Sequence, residues 1–343
     1  MRFRPLQPAS VPDATLVAVA DPPEKMRAAV IDATGDIDVL HEASVPVPAP
    51  VLSELLVRIV AAGVNPIDAK TRGGAGVSGA IAAYPAILGY DFSGIVVRSP
   101  YESHPLHPGT PVYGMLPFPR AGGSYAEYAV VPSLSVARKP SSLSHVEAAG
   151  VPVAALTAWG LVVETAHAHE GQRVLIHAGS GGVGHFAVQF AAYFGAHVTA
   201  TGSARNASWL RELGASVVID YTTTRFEDVI ADVDVVIDLV GNVHAKTGER
   251  SLKVVRPGGL YVVVPTGSWP GYAEAATDAG VRSTSYKVIP DGSALATIGR
   301  LLDSGAVQVY IDRVFDLKDA GAAHAELEQG HTRGKIVLRV SDD

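Results

Sequence analysis

Apolar positions change their spacing along this chain, and each change marks an architectural boundary. From Met26 to about Gly150 they fall in short runs broken by glycine and proline: Arg27 to Ala33, Leu55 to Val64, Phe92 to Ser99, Val112 to Leu116 and Tyr125 to Pro132. Runs of this length between turns predict a β-barrel-like domain without long helices. Pro108-Gly109 and Gly122-Gly123 mark turns within it. Between His145 and Ala168 the spacing becomes helical, with Ser144 placed to cap the first of two helices and Pro152 near the break between them. Beyond Arg173, strand and helix patterns alternate: helix over 203–215, strand over 216–221, helix over 225–232, strand over 233–241, helix over 244–255, strand over 258–266. Such alternation specifies an α/β doubly wound parallel sheet. A helical stretch over 294–305 then leads to extended segments ending at Val340, which are expected to rejoin the first domain.

The stretch from Arg173 to Gly195 organises the second half. Val174, Leu175 and Ile176 form the continuous apolar run of a strand covered on both faces. Gly179, Gly181 and Gly184 follow at the spacing G-x-G-x-x-G. The first permits the turn, the second lets backbone approach a pyrophosphate, and the third lets the helix pack on the strand. Val183, Phe186, Ala187, Phe190, Ala191 and Phe194 recur at helical spacing, and a second strand runs from His197 to Thr201. The turn therefore predicts a dinucleotide site, with Ser180, Gly182 and Val183 among its contacts.

Composition narrows the function classes. The chain has 343 residues, 48% hydrophobic and 18% charged, enough for two well-packed domains. Its formal net charge of -7 argues against nucleic acid and anionic membranes as partners. No long uninterrupted apolar window and no leader-like N-terminus occur, so a cytoplasmic setting is expected. Residues 1–25 contain five prolines (Pro5, Pro8, Pro12, Pro22 and Pro23) and are expected to form a loosely held extension. There is no cysteine, which excludes disulfides and every zinc site built on thiolates.

Several segments together carry a family resemblance: AAGVNPIDAK at 61–70, PAILGYDFSGIVV at 85–97, LTAWGLV at 156–162, the glycine-turn stretch, LRELGASVVIDY at 210–221 and TRGKIVL at 332–338. The chain resembles the medium-chain dehydrogenase/reductase superfamily, and within it the zinc-free quinone oxidoreductases related to zeta-crystallin. The segment from Asn65 to Lys70 is similar to the enone and alkenal reductases of that branch. The resemblance implies a GroES-like barrel domain over 26–150 and 291–343, a Rossmann domain over 151–290, an active-site cleft between them, and a homodimer. Zinc-dependent relatives place a cysteine near Asn65 and a Gly-His-Glu where this chain has Gly89-Tyr90-Asp91, so no metal site is expected. The histidine pairs His104 with His107 and His167 with His169 lack the ligand spacing and are read as solvent-exposed.

Ribose-binding acids follow the second strand in NAD enzymes of this fold. Here that region holds Ser203 and Arg205 and no carboxylate. A charge-assisted contact from Arg205 to a 2′-phosphate, worth about 1.5–3 kcal/mol, favours NADPH by roughly tenfold to a hundredfold. The resemblance adds Tyr221 at the adenosine end, Thr157 on the nicotinamide side, and Val240 with Gly241 under the cofactor. It also adds Arg333 and Lys335 in the terminal motif. Pro265 and Gly267 follow the fifth strand at the carboxyl edge, where ligands bind in open α/β sheets. Hydride arriving at a quinone or an α,β-unsaturated carbonyl leaves negative charge on an oxygen, and a nearby donor stabilises it. Asn65, Lys70 and Tyr90 are the donor candidates. Asp68 is expected to satisfy backbone donors and Asp91 to be a buried anchor, while Trp269 and Tyr272 either wall the pocket or lie at a dimer interface. Alternatives on the same scaffold are an enoyl-thioester reductase and a nucleotide-sensing protein with little turnover.

Overall fold

Six strands, Arg173–Ile176, His197–Gly202, Val217–Asp220, Val233–Asp238, Val255–Val263 and Arg282–Ser285, build one sheet in the second half of the chain. The coordinates are a computed structural model that describes residues 21–120 and 122–342. Every pairing in this sheet is parallel. Arg173–Ile176 lies between His197–Gly202 on one side and Val233–Asp238 on the other, so the winding reverses there. A crevice opens at the carboxyl ends of strands at such a reversal. Val174, Leu175 and Ile176 are buried; Val174 and Ile176 pack with Phe186, Ala187, Phe190 and Ala191 of the helix Gly184–Tyr193, while Leu175 joins Ile219 and Val236 on the other face.

The glycine turn divides its labour differently from the expectation. Gly184 is held to glycine by packing, because a Cβ there would lie 2.1 Å from the Ala178 carbonyl oxygen. Gly179 does not carry the unusual backbone conformation. Ala178 does, at φ +50°, while Gly179 is constrained by the Ala200 side chain 2.9 Å from where its Cβ would be.

A second, seven-stranded sheet runs in the order Ile311–Asp316, Lys335–Arg339, Glu54–Val64, Asp91–Arg98, Pro111–Met115, Val136–Arg138, with Tyr128–Pro132 also paired to Glu54–Val64. A small sheet of His41–Pro46, Lys25–Ile31 and Ala86–Ile87 completes the barrel. The C-terminal strands thus return to the first half, with Ile336 opposite Val64 and Val337 opposite Gly63 in antiparallel register. That register sets Lys335 beside Asn65.

Ser144 caps His145–Ala149 in a reciprocal box with Glu147, and the chain breaks before Pro152–Trp159. Three local readings change. The segment 225–232 forms only the short 3₁₀ turn Phe226–Asp228, whose Glu227 is clamped by Arg225 and Arg250. The expected extended return contains the helix Ala320–Glu328, whose inward residues Ala320, Ala323 and His324 are too small or too polar to show an apolar stripe. The first strand begins at Lys25, opposite Pro46, one residue before Met26. The rest of the expected extension lies largely outside the described residues.

Because Gly184 sits against backbone that has nowhere to move, Gly184→Ala is expected to cost about 1–3 kcal/mol through overpacking. Urea unfolding of the two proteins measures this, and an unchanged midpoint would refute the packing assignment.

Candidate active site

Asn65 ends the strand Glu54–Val64 and caps the helix Pro66–Arg72, so the barrel wall and a helix start both fix it. Its side-chain Nδ2 donates to Asp91 Oδ2 at 2.9 Å, and its Oδ1 accepts from the Lys335 ammonium. Lys335 also donates to the Val64 carbonyl at 3.2 Å and pairs with Asp91 Oδ2 at 3.2 Å. A cation against one end of the amide and an anion against the other leave only one orientation for it. Asp91 Oδ1 accepts the backbone N–H of Val153 at 2.6 Å, tying the cluster to the helix Pro152–Trp159. Asp91 is the buried anchor that was expected.

A second buried layer lies behind Asn65. Asp68 Oδ2 accepts the Asn65 backbone N–H at 2.8 Å and the Tyr125 hydroxyl at 3.1 Å. The same hydroxyl lies 3.1 Å from Nε2 of His324. Burial, with Asp91 adding to it, pushes the Asp68 carboxyl up to about 7. Burial holds His324 neutral, down to about 3.

The terminal segment joins this cluster to the glycine turn. Gly334 N–H donates to the Ser180 carbonyl at 2.9 Å, and the Lys335 side chain passes 3.1 Å from where a Cβ on Gly182 would lie. Arg205 donates to the His331 carbonyl at 2.5 Å. The Arg333 guanidinium is sandwiched between Trp209 and Tyr310, 4.1 and 4.5 Å from their ring centroids. His185 Nδ1 lies 3.0 Å from the Gly181 carbonyl, which only accepts, so that nitrogen carries the proton.

The remaining candidates are placed as follows. Lys70 is exposed and stands apart from the Asn65 cluster, whose cation is Lys335. Tyr90 is buried and spends its hydroxyl on the Arg120 carbonyl at 2.5 Å, offering its ring rather than a donor. Thr157 likewise gives its hydroxyl to the Val153 carbonyl at 2.6 Å. Ser203 is half-buried, Tyr221 exposed, and Gly241 adopts φ +74° in a turn that Asp238 holds by accepting from the Val240 and Gly241 N–H groups. Pro265, Gly267, Trp269 and Tyr272 line a cavity of about 220 Å³ at the carboxyl edge of the parallel sheet. His104 is buried rather than exposed, because its ring is tied to the Leu106 backbone. Two features escaped the sequence. Tyr125 and His324 carry no motif, and Asp220 is brought opposite Gly202 by strand register, its carboxylate held low by Thr222 hydrogen bonds.

A parallel sheet with a glycine turn at its reversal, joined by one lysine to a barrel-borne amide, is the framework of a two-domain nicotinamide-dependent oxidoreductase. The model for the alcohol dehydrogenase GroES-like domain matches residues 52–141, and that for zinc-binding dehydrogenases matches 213–338. The chain is 38% identical to the 2-methylene-furan-3-one reductase of Solanum lycopersicum, over 92% of this chain and 79% of that protein. It is 33% identical to the chloroplastic NADPH-dependent alkenal/one oxidoreductase of Arabidopsis thaliana, over 94% and 82%. A solved quinone oxidoreductase of Coxiella burnetii superposes with a TM-score of 0.87 at 36% identity, covering 92% of this chain and all of that one. The chain belongs to the medium-chain dehydrogenase/reductase superfamily, in its quinone and enone reductase branch.

The zinc in the second model's description does not fit the donors present. Asn65 Oδ1 and Asp91 Oδ2 already face an ammonium, the chain has no cysteine, and among the described residues no three His, Asp or Glu side chains converge. A dinucleotide does fit the glycine turn, which carries no side chain at Gly179, Gly181, Gly182 and Gly184 and leads into the helix Gly184–Tyr193 directly after the strand at which the winding reverses.

Two stability effects follow. Lys335→Met strands a buried carboxylate, so a loss of about 3–5 kcal/mol is expected, with partial recovery in the Lys335→Met/Asp91→Asn double variant. Denaturant midpoints of the three proteins test this, and a double variant no more stable than the single one would contradict it. For Asp68 the folded value is raised, so its contribution is full below pH about 4 and is lost as pH rises through about 7, by at most about 4 kcal/mol. Asp68→Asn should therefore gain on the wild type as pH rises; parallel midpoints against pH would show that Asp68 does not titrate in this window.

Proposed function

We propose that this chain is an NADPH-dependent reductase of quinones or α,β-unsaturated carbonyls that works by hydride transfer without zinc. The observation that carries the proposal is the span of Lys335, which runs from the glycine turn at Gly182 to the amide of Asn65. This span supports Asn65 as the donor for an acceptor oxygen, one lysine's length from the turn that would hold the dinucleotide. The bound cofactor would supply the hydride, held at its pyrophosphate by the turn from Gly179 to Gly184 and at its 2′-phosphate by Ser203 and Arg205. Tyr221, Val240, Gly241, Pro265 and Gly267 would line its path along the sheet edge, with Thr157 and Arg333 at its flanks.

Asn65 Nδ2 carries two N–H groups and gives one to Asp91, so it has one left to offer. That N–H would meet the acceptor oxygen as negative charge grows there. Lys335, bonded to the other end of the amide, polarises it and strengthens the donor, and Asp91 keeps it from turning. Lys70, exposed at the far end of the same helix, would serve the nicotinamide ribose of a bound cofactor and not the acceptor oxygen at Asn65, and Tyr90 walls the site. Protonation at carbon comes from water. The acceptor's other flank is the wall formed by Trp269 and Tyr272. The proposal includes a homodimer and a cytoplasmic setting; among the described residues no helix is long and apolar enough to cross a membrane.

Arg205 leaves the His331 carbonyl for the phosphate in this reading, so Arg205→Ala should raise the KM for NADPH about tenfold or more and leave that for NADH nearly unchanged. Steady-state oxidation of both cofactors with a panel of quinones and enones measures this. Equal turnover with limiting NADH and NADPH would defeat the NADPH assignment. Cofactor binding without acceptor-dependent oxidation would defeat the reductase reading in favour of a sensor.

A further inference from the structure

The layer behind Asn65 has more hydrogen-bonding capacity than it uses. Asp68 Oδ1 and His324 Nδ1 are both buried without a partner, in a network that otherwise runs unbroken from the Asn65 backbone through Asp68 and Tyr125 to His324. Tyr125 has one hydroxyl proton and two neighbours that want it. When Asp68 is charged, the hydroxyl points to Asp68 Oδ2, and His324 must turn its Nε2–H toward the tyrosine oxygen. When Asp68 carries a proton, the hydroxyl is released to His324 and the ring takes the other tautomer. The two arrangements differ at Asn65. A charged Asp68 accepts the Asn65 N–H as a charge-assisted bond, roughly twice as strong as the neutral one.

We propose that Asp68 is the positioning residue for the reductase site: its grip on the Asn65 backbone sets the amide that meets the acceptor, and Tyr125 with His324 sets the strength of that grip. Every charged or titratable group around it takes part. Asp91 and Lys335 face it from the neighbouring strands, and its charge is also felt by Tyr90. Tyr125 touches it directly, and His324 stands beyond Tyr125 with Arg72 beside it, Arg72 being paired to Glu328 at 2.7 Å. Two carboxylates thus share one buried ammonium. Asp91 holds that ammonium directly, and Asp68 is the member left to change state.

The inference rests on the reductase reading only for its kinetic arm. In that arm, kcat and KM for NADPH with one enone are followed from about pH 6 to about pH 8.5. The wild type is expected to lose kcat on the acid side of neutrality. Asp68→Asn, which keeps an acceptor for the Asn65 N–H, should remove that limb and lower kcat about three- to tenfold at the alkaline end, with KM for NADPH unchanged within about twofold. Tyr125→Phe should move the limb to higher pH, because the carboxylate loses a donor that favours its charged form. In the second arm, hydrogen exchange of the amides from Asn65 to Arg72 is measured across the same range and corrected for the intrinsic rate. Protection should fall as pH rises in the wild type, because opening this segment frees a carboxyl that burial keeps protonated, and stay flat in Asp68→Asn. An Asp68→Asn profile that superimposes on the wild type in exchange overturns the proposal, as does a KM for NADPH that rises in step with the fall in kcat. If the wild type fails to oxidise NADPH with every quinone and enone offered, the reductase reading fails while the exchange arm still decides the role of Asp68.

Discussion

The ammonium of Lys335 is the interaction on which the site depends. It is buried with Asp91 and Asn65, and a charge taken from water at that depth is tolerated only with its hydrogen bonds filled. Val64, Asn65 and Asp91 fill them. The strand register that delivers Lys335 is therefore a chemical requirement. A slip of one residue between Lys335–Arg339 and Glu54–Val64 would turn the lysine to the opposite face and leave Asp91 alone in the core. The far C-terminus completes a site whose other members lie more than two hundred residues earlier.

The same strand is reached through a segment that lies on the glycine turn. Gly334 donates to Ser180, and its own conformation, φ +71° with the Tyr310 carbonyl 2.3 Å from where a Cβ would lie, admits no side chain. The barrel and the parallel sheet are thus coupled at the point where a dinucleotide would lie. Arg205 and Arg333 extend that coupling along the segment, one by a hydrogen bond to the His331 carbonyl and one by stacking between Trp209 and Tyr310.

What was legible in the sequence follows what each pattern physically encodes. The alternation after Arg173 and the glycine spacing encode burial and close backbone approach, which are local, and the parallel sheet and the packing of Gly184 appear where those patterns place them. The family resemblance brought out Asn65 and Lys335 separately, the one for the acceptor and the other for the cofactor. Their contact was hidden because it is made by a strand pairing between residues 270 positions apart, and no spacing records such a pairing. Lys70 drew attention by lying in the same motif as Asn65, yet five positions along a helix of about 3.6 residues per turn carry it off the face that Asn65 occupies, and it stands exposed. The helix Ala320–Glu328 went unseen because alanine fits both a loop and a tightly packed helix. With it went His324, whose meaning comes entirely from the tyrosine it meets.

Charge accounting explains why the layer behind Asn65 is built as it is. Asp91 receives N–H groups from Val153, Asn65 and Lys335, whereas Asp68 receives one backbone N–H and one hydroxyl and keeps an oxygen unpartnered. Desolvation therefore falls on Asp68, and the fold is more stable with it neutral. The grip on Asn65 is firmer with it charged. Stability and positioning pull this one carboxyl in opposite directions, and the conflict marks it as a group retained for the site. A protein shaped for stability alone would place an asparagine or a packed apolar side chain there.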